Sequence, residues 1–296
     1  MPVDLSPRVS VIIPAFNAGR FIRETIESAL GQTLHPSEII VVDDGSTDDT
    51  RDIVREYSSR VALYQRQQGG ASAARNLGAR EASGEWLAFL DADDVWMPTK
   101  LERECRLIDG SAALVYCDRI NIGDRGDLPE QQGTIQPLYE GDVFVPLLVI
   151  GNVITTSSVM LRTDVFRAVG GFCEDPRLLA EDWDLWVRVA ADHQFRACRE
   201  ALIQYRLHAG GMSRRLEQMM AARCLVTERA LASDRGRALD PAVKRRVWSE
   251  TWKVNGHDAV RQGAAMTALW AYLRSACHQP FASDTYVGMM RAVLRA

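Results

Sequence analysis

Continuous apolar runs alternate with amphipathic stretches through the first 118 residues of the chain. Val9–Pro14, Glu38–Val42, Val61–Arg66, Trp86–Leu90 and Ala113–Cys117 read as strands. Val9–Pro14 reads as a continuous apolar strand and Glu38–Val42 as a second buried one. Between them, Phe21–Leu30 repeats apolar positions with helical spacing. Thr47 or Asp48 can cap a helix through about Tyr57, Ala71–Ala82 reads as an Ala-rich helix, and Pro98 opens one through about Ile108. Strand and helix patterns in alternation, with short connections, predict a parallel α/β sheet flanked by helices.

Residues 119–150 read as a loop-rich excursion. The pattern resumes with a strand over Thr156–Leu161, a short helix over Thr163–Val169 ending at Gly170-Gly171, and a helix over Glu181–Ala191. From about Ser213 only helical patterns remain, including Arg214–Leu231, Ala242–Val254 and Asp258–Ala276. This organisation divides the chain into an α/β domain over 1–213 and a helical region over 214–296.

Composition narrows the classes. A formal net charge of −4 over 296 residues gives no electrostatic ground for a nucleic-acid partner. The six cysteines form no C-x-x-C pair, which argues against structural zinc and against a disulfide framework and fits a reducing cytoplasm. The opening MPVDLSPR shows no leader before the first strand pattern. The most apolar stretch, Val143–Ile154, is broken by Pro146 and Gly151-Asn152 and falls short of the roughly 20 residues of a membrane span.

Two strand patterns end in acids: Asp43-Asp44 after Glu38–Val42, and Asp91, Asp93 and Asp94 after Trp86–Leu90. A third acidic pair, Glu181-Asp182, opens a helix. Carboxylates at a buried strand end are costly unless something positive binds there. In a parallel sheet the strand ends gather along one edge, where ligands of α/β proteins bind. Hard oxygen ligands there suit Mg²⁺ or Mn²⁺, and such ions suit a diphosphate. For each cluster the plainer alternative is a turn or a helix cap.

The ordered series VSVIIPAFN (9–17), EIIVVDDGSTDDT (38–50), GGASAARNLGAREASGEW (69–86), LAFLDADDVWMPTKL (87–101), TSSVMLRTDVFRAVGGF (156–172), AEDWDLWVRV (180–189) and YRLHAGGMS (205–213) resembles glycosyltransferase family 2. The resemblance implies the glycosyltransferase A fold, with a mostly parallel central sheet and here a C-terminal helical appendage. It further implies that Asp44 hydrogen-bonds the nucleobase while Asp43 shapes the same turn, and that Pro14 and Ala15 present backbone to the base. Asp91 and Asp93 match the D-x-D motif, Asp93 as metal ligand and Asp91 at the ribose or the metal's water shell. Arg75 faces either the nucleotide or sugar, or makes a surface ion pair. Asn76 is read as fixing a loop. Asp94 is either a binding residue or a cap for the helix entered through Pro98.

Asp182, in the matching ED motif, is implied as the base that takes the acceptor hydroxyl's proton, against a helix-capping alternative. His208 completes the metal shell, binds phosphate, or is a buried structural histidine. Trp183 and Trp186 read as core.

The function so implied is metal-dependent, inverting transfer of a sugar from a nucleotide-diphosphate donor, a UDP-sugar by preference, to a hydroxyl on a glycan or lipid-linked acceptor. Mn²⁺ or Mg²⁺ would be the cofactor, in a cytoplasmic protein. The aromatic and basic positions of the C-terminal helices leave two readings, a packed appendage or peripheral attachment to an anionic membrane face. Two rival classes are a sugar nucleotidyltransferase and a silent nucleotide-sugar-binding protein. Against the first, the loop AFNAGRF carries one arginine in place of a Gly-rich basic signature; against the second, Asp44, Asp91, Asp93 and Asp182 are all present.

Overall fold

A computed structural model describes residues 7–123, 130, 131, 133, 137–207 and 215–294. It groups them into two compact units. The first comprises Met1–Val143, Val153–Glu174 and Asp192–Ala209; the second comprises Phe144–Asn152, Asp175–Ala191 and Gly210–Ala296.

The first unit is built on one eight-stranded sheet in the order β3-β2-β1-β4-β7-β6-β8-β5. Its strands are β1 (Val9–Ala15), β2 (Glu38–Asp43), β3 (Ala62–Gln65), β4 (Trp86–Phe89), β5 (Val95–Trp96), β6 (Ala112–Gly123), β7 (Val159–Arg162) and β8 (Gln194–Leu207). Strands β1 to β4 pair in parallel, as the apolar runs predict. β7 then runs antiparallel to both β4 and β6, so the sheet is mixed. β6 and β8 pair in parallel, and β5 is antiparallel to β8.

Because β1 is buried on both faces, alternate residues serve different helices. Val9, Val11 and Ile13 pack in one cluster with Ile22, Ile26 and Ala29 of α1 (Ile22–Leu30). On the other side, α3 (Ala71–Glu81) approaches so closely that a Cβ at Gly78 would stand 2.5 Å from Ile12 Cγ2 and 3.3 Å from Val42 Cγ2. The remaining helices of this unit are α2 (Thr50–Arg55), α4 (Lys100–Cys105) and α6 (Thr163–Ala168). Phe89, Phe166 and Phe172 form an aromatic cluster, with Phe89 and Phe172 edge-to-face at 5.1 Å.

The second unit is helical: α5 (Phe144–Ile150), α7 (Glu181–Ala190), α8 (Leu216–Ala232), α9 (Asp234–Ala238), α10 (Pro241–Arg261), α11 (Ala265–His278) and α12 (Ser283–Leu294). Two segments inside the expected 1–213 domain thus pack with the C-terminal helices. The Trp183 indole donates to the Leu147 carbonyl at 3.0 Å, and Arg229 of α8 reaches Asp184 at 3.4 Å.

The excursion read over 119–150 contains strand and helix. β6 continues to Gly123, and α5 starts with Pro146 in its first turn, where a missing N–H costs no helical bond. A break between 254 and 258 is also absent. Arg223 of α8 donates to Asn255 at 3.0 Å and pairs with Asp258, so these polar residues are satisfied inside one continuous helix.

Filling the α3–sheet contact tests this packing. Gly78→Val should lower the unfolding free energy by about 2–3 kcal/mol, read from the urea midpoint. An unchanged midpoint would show that α3 is not seated as described.

Candidate active site

The carboxyl-terminal ends of β2, β1 and β4 lie side by side, with β1 in the middle. Ala15 stands opposite Asp43, and Phe89 opposite Ile12. The two acidic strand ends therefore share one edge of the sheet, as parallel pairing requires.

The β1 and β2 ends are laced together. Pro14 and Ala15 are buried, and the Ala15 carbonyl accepts the Asp44 amide at 2.8 Å. Asn17 donates its amide to Ser46 Oγ at 2.9 Å, and its side chain accepts the Thr47 amide at 2.8 Å. Asp43 is buried, accepts the Ser46 amide at 3.2 Å and faces Arg51 at 3.7 Å. This matches its expected position in the turn.

Asp44 is also buried, and the chain itself occupies most of its carboxylate. Arg66 donates to Oδ1 at 2.7 Å, Gly69 to Oδ1 at 3.0 Å, and Gly70 to Oδ2 at 2.7 Å. Gly70 has φ 91, a left-handed value that aims its amide at Asp44 and that a side chain would strain. The turn 66–70, which launches α3, is thus fastened to the end of β2.

The β4 end carries three carboxylates in three surroundings. Asp91 is half-buried and accepts Arg75 Nη2 at 2.7 Å. Arg75 is itself buried, its guanidinium 5.1 Å from the Phe172 ring, so the reading of a surface ion pair does not hold. Asn76 fixes a loop as expected: it donates to the Phe172 carbonyl at 2.8 Å and accepts the Phe172 amide at 2.9 Å. Asp93 is half-buried, and its carbonyl accepts Arg206 Nε at 2.8 Å.

Asp94 is fully enclosed. Its oxygens accept Ser157 Oγ at 2.5 Å and the Arg206 amide at 2.8 Å. It does not cap α4, which is entered at Thr99. Burial first, and then the charges of Asp93 and Asp91, push its carboxyl well above the usual carboxylate range.

Ser157 and Arg206 hold this loop, and sequence reasoning singled out neither. Ser157 also accepts the Asp91 amide at 3.0 Å, and its carbonyl accepts the Trp96 indole at 2.8 Å. Its only signal is a place in TSSVMLR, just before a strand.

In the second unit, Asp182 lies in the first turn of α7. Its Oδ1 accepts the Trp183 amide at 2.7 Å and its Oδ2 accepts Asn152 Nδ2 at 2.8 Å. Asn152, read from the sequence only as a break in an apolar stretch, thus orients this carboxylate. Trp183 and Trp186 are buried, as expected. His208 lies outside the described residues.

A divalent cation can be tested against these donors. Among the described residues no three His, Cys, Asp or Glu side chains gather into a complete metal site. Mg²⁺-type ions commonly use one or two carboxylates and take their other ligands from substrate phosphates and water. Asp91 and Asp93, hard oxygen donors at a strand end, fit that pattern.

The profile of glycosyl transferase family 2 matches residues 10–170. Over 213 residues the chain is 32% identical to an uncharacterized glycosyltransferase of Rickettsia prowazekii, covering 69% of this chain and 65% of that one. Identity to WfaP of Escherichia coli, named UDP-Glc:alpha-D-GlcNAc-diphosphoundecaprenol beta-1,3-glucosyltransferase, is 30% over 212 residues, covering 69% of this chain and 79% of WfaP. The crystal structure of S. aureus TarS 1-349 in complex with UDP-GlcNAc superposes with TM-score 0.71 at 19% identity, covering 97% of this chain and 89% of that one. The architecture is the glycosyltransferase A fold. The chain belongs to glycosyl transferase family 2, and it spans 65% of the length of its two first Rickettsia relatives.

The bracket on Asp94 gives a stability prediction. Ser157→Ala removes its one side-chain donor and should cost about 1–3 kcal/mol, measured by urea unfolding. A loss within error would show that Asp94 does not depend on Ser157.

Proposed function

We propose that the protein transfers a sugar, with inversion, from a uridine-diphosphate donor to a hydroxyl of a glycan or lipid-linked acceptor in cell-surface polysaccharide synthesis. The observation that carries this reading is the gathering of Asp91, Asp93 and Asp94 after β4 on the same sheet edge as Asp43 and Asp44 at the end of β2. Membership of family 2 supports glycosyl transfer. The name of WfaP and the UDP-GlcNAc bound to TarS support the nucleotide and the lipid-linked acceptor.

In this reading Asp93, with Asp91 beside it, holds Mn²⁺ or Mg²⁺, and His208 is a further candidate ligand. The ion, when bound, stabilises the charge of the departing nucleoside diphosphate, so no protonating acid is needed. Asp44 keeps the 66–70 turn in place at the base pocket. Asp43, Pro14 and Ala15 shape the floor of the same pocket. Arg75, held by Phe172 and Asp91, supplies positive charge for the diphosphate or the sugar.

Asp182 takes the proton from the acceptor hydroxyl as that oxygen attacks the anomeric carbon. It lies beyond the matched 10–170 span, so its role rests on the ED motif and on its orientation by Asn152.

A donor panel with Mn²⁺, following nucleoside diphosphate release with and without acceptor, tests the class. One uridine-diphosphate sugar should be turned over, and chelator or Asp93→Ala should cut the rate at least about a hundredfold. Chelator-insensitive turnover would remove the metal from the account. Asp182→Asn should leave the donor KM near its starting value while transfer falls about 10²–10⁴-fold. Transfer within tenfold of the unmodified protein would end the assignment of Asp182.

A further inference from the structure

Nine large apolar side chains are exposed among the described residues, and eight of them fall between Met266 and Val293. The ninth, Phe16, follows β1. On α11 the exposed residues include Met266, Trp270 and Leu273, and on α12 Tyr286, Met290 and Val293. Each set recurs every three or four residues, so each forms a stripe along its helix. Phe281, in the connection between the two helices, is 97% exposed. The same helices bury other residues against each other: Ala268 and Tyr272 of α11 pack with Ala292 of α12. The outer stripes are therefore separate from the inner packing faces.

The charge around this hairpin is mostly positive. Residues 241–294 hold seven Lys or Arg against three Asp or Glu, on a chain whose total is −4. All three acids already hold a cation: Glu250 and Asp284 bind Lys253, at 2.7 and 2.6 Å, and Asp258 pairs with Arg223 and Arg261. Arg245, Arg246, Arg274 and Arg291 are exposed. Arg274 lies 5.2 Å from the Trp252 ring and 5.6 Å from the Trp270 ring, which sets a guanidinium beside an apolar stripe.

We infer that the α11–α12 hairpin docks on an anionic phospholipid bilayer, with Trp270, Phe281 and Met290 entering the headgroup–acyl boundary. Aromatic residues favour that interface, and exposed arginines meet its negative headgroups. No helix among the described residues is long and apolar enough to cross a membrane, so the contact is peripheral. The inference deepens the proposed transfer to a lipid-linked acceptor and rests on that reading for its purpose. Binding needs no turnover, so the two fail separately.

The test is cosedimentation of the full chain with phosphatidylcholine vesicles containing about one third phosphatidylglycerol, against phosphatidylcholine alone. Partitioning should be at least about tenfold stronger on the anionic vesicles and should weaken in high salt. Phe281→Asp combined with Met290→Asp should reduce it at least about tenfold. The thermal midpoint should stay unchanged, showing that the variant folds. Arg245→Glu with Arg246→Glu should lose the preference for anionic vesicles. Failure to sediment with anionic vesicles would overturn the inference, and so would equal binding by the aspartate variant. A dimer in solution that the aspartate variant dissolves would also overturn it, by assigning the face to a second copy.

Discussion

Carboxylates crowded at the ends of parallel strands set the terms for the first unit. Buried carboxylates are costly, and Asp44, Asp91 and Asp94 are each met by a donor from another part of the chain. The turn at 66–70 reaches Asp44, α3 sends Arg75 to Asp91, and the segment before β7 sends Ser157 to Asp94. Arg206, at the end of β8, clasps the same loop through the Asp93 carbonyl and the Asp94 side chain. These bonds hold the acids in fixed positions along one edge of the sheet.

The reversal of β7 makes this arrangement possible. Were β7 parallel to β4, residues 156–158 would sit at the opposite edge of the sheet. Running antiparallel, β7 brings its start to the edge where β4 ends, and Ser157 then reaches the amide of Asp91 and the carboxyl of Asp94. The aromatic cluster behind β4 contributes rigidity. Phe172 packs on Phe89 and supports the Arg75 guanidinium, while Asn76 fastens the Phe172 backbone. The D-x-D loop is thus held from two sides by groups that need not touch a substrate.

Much of this frame is legible in the sequence, because its signals are local. The runs VSVII, EIIVV and WLAFL are almost wholly apolar, so buried strands announce themselves, and acids after the last two mark the edge that matters. The missed parts depend on contacts that no window contains. β8 spans fourteen residues but carries Arg196, Arg199, Glu200 and Arg206, and it is defined by pairing with β6. Ser157 and Asp94 lie 63 residues apart, and Asn152 and Asp182 lie 30 apart. The helical pattern lapses over residues 255–257, where Arg223 in fact satisfies Asn255 within one continuous helix.

Helices α8, α10, α11 and α12 bury several small hydroxyl side chains at their contacts. Buried between them are Thr227 against Thr251, at 2.9 Å, and Ser249 against Ser275, also at 2.9 Å, with Thr285 beside Ser275. Small hydroxyl pairs let helices approach closely and satisfy one another, but they bury little apolar area per residue. The large apolar residues of α11 and α12 stand mainly on the outside. Folding of this unit alone gives them no role, because the buried faces are already filled. An outward apolar surface bordered by arginines makes physical sense when something apolar and negatively charged covers it, and a lipid headgroup–acyl boundary combines both properties.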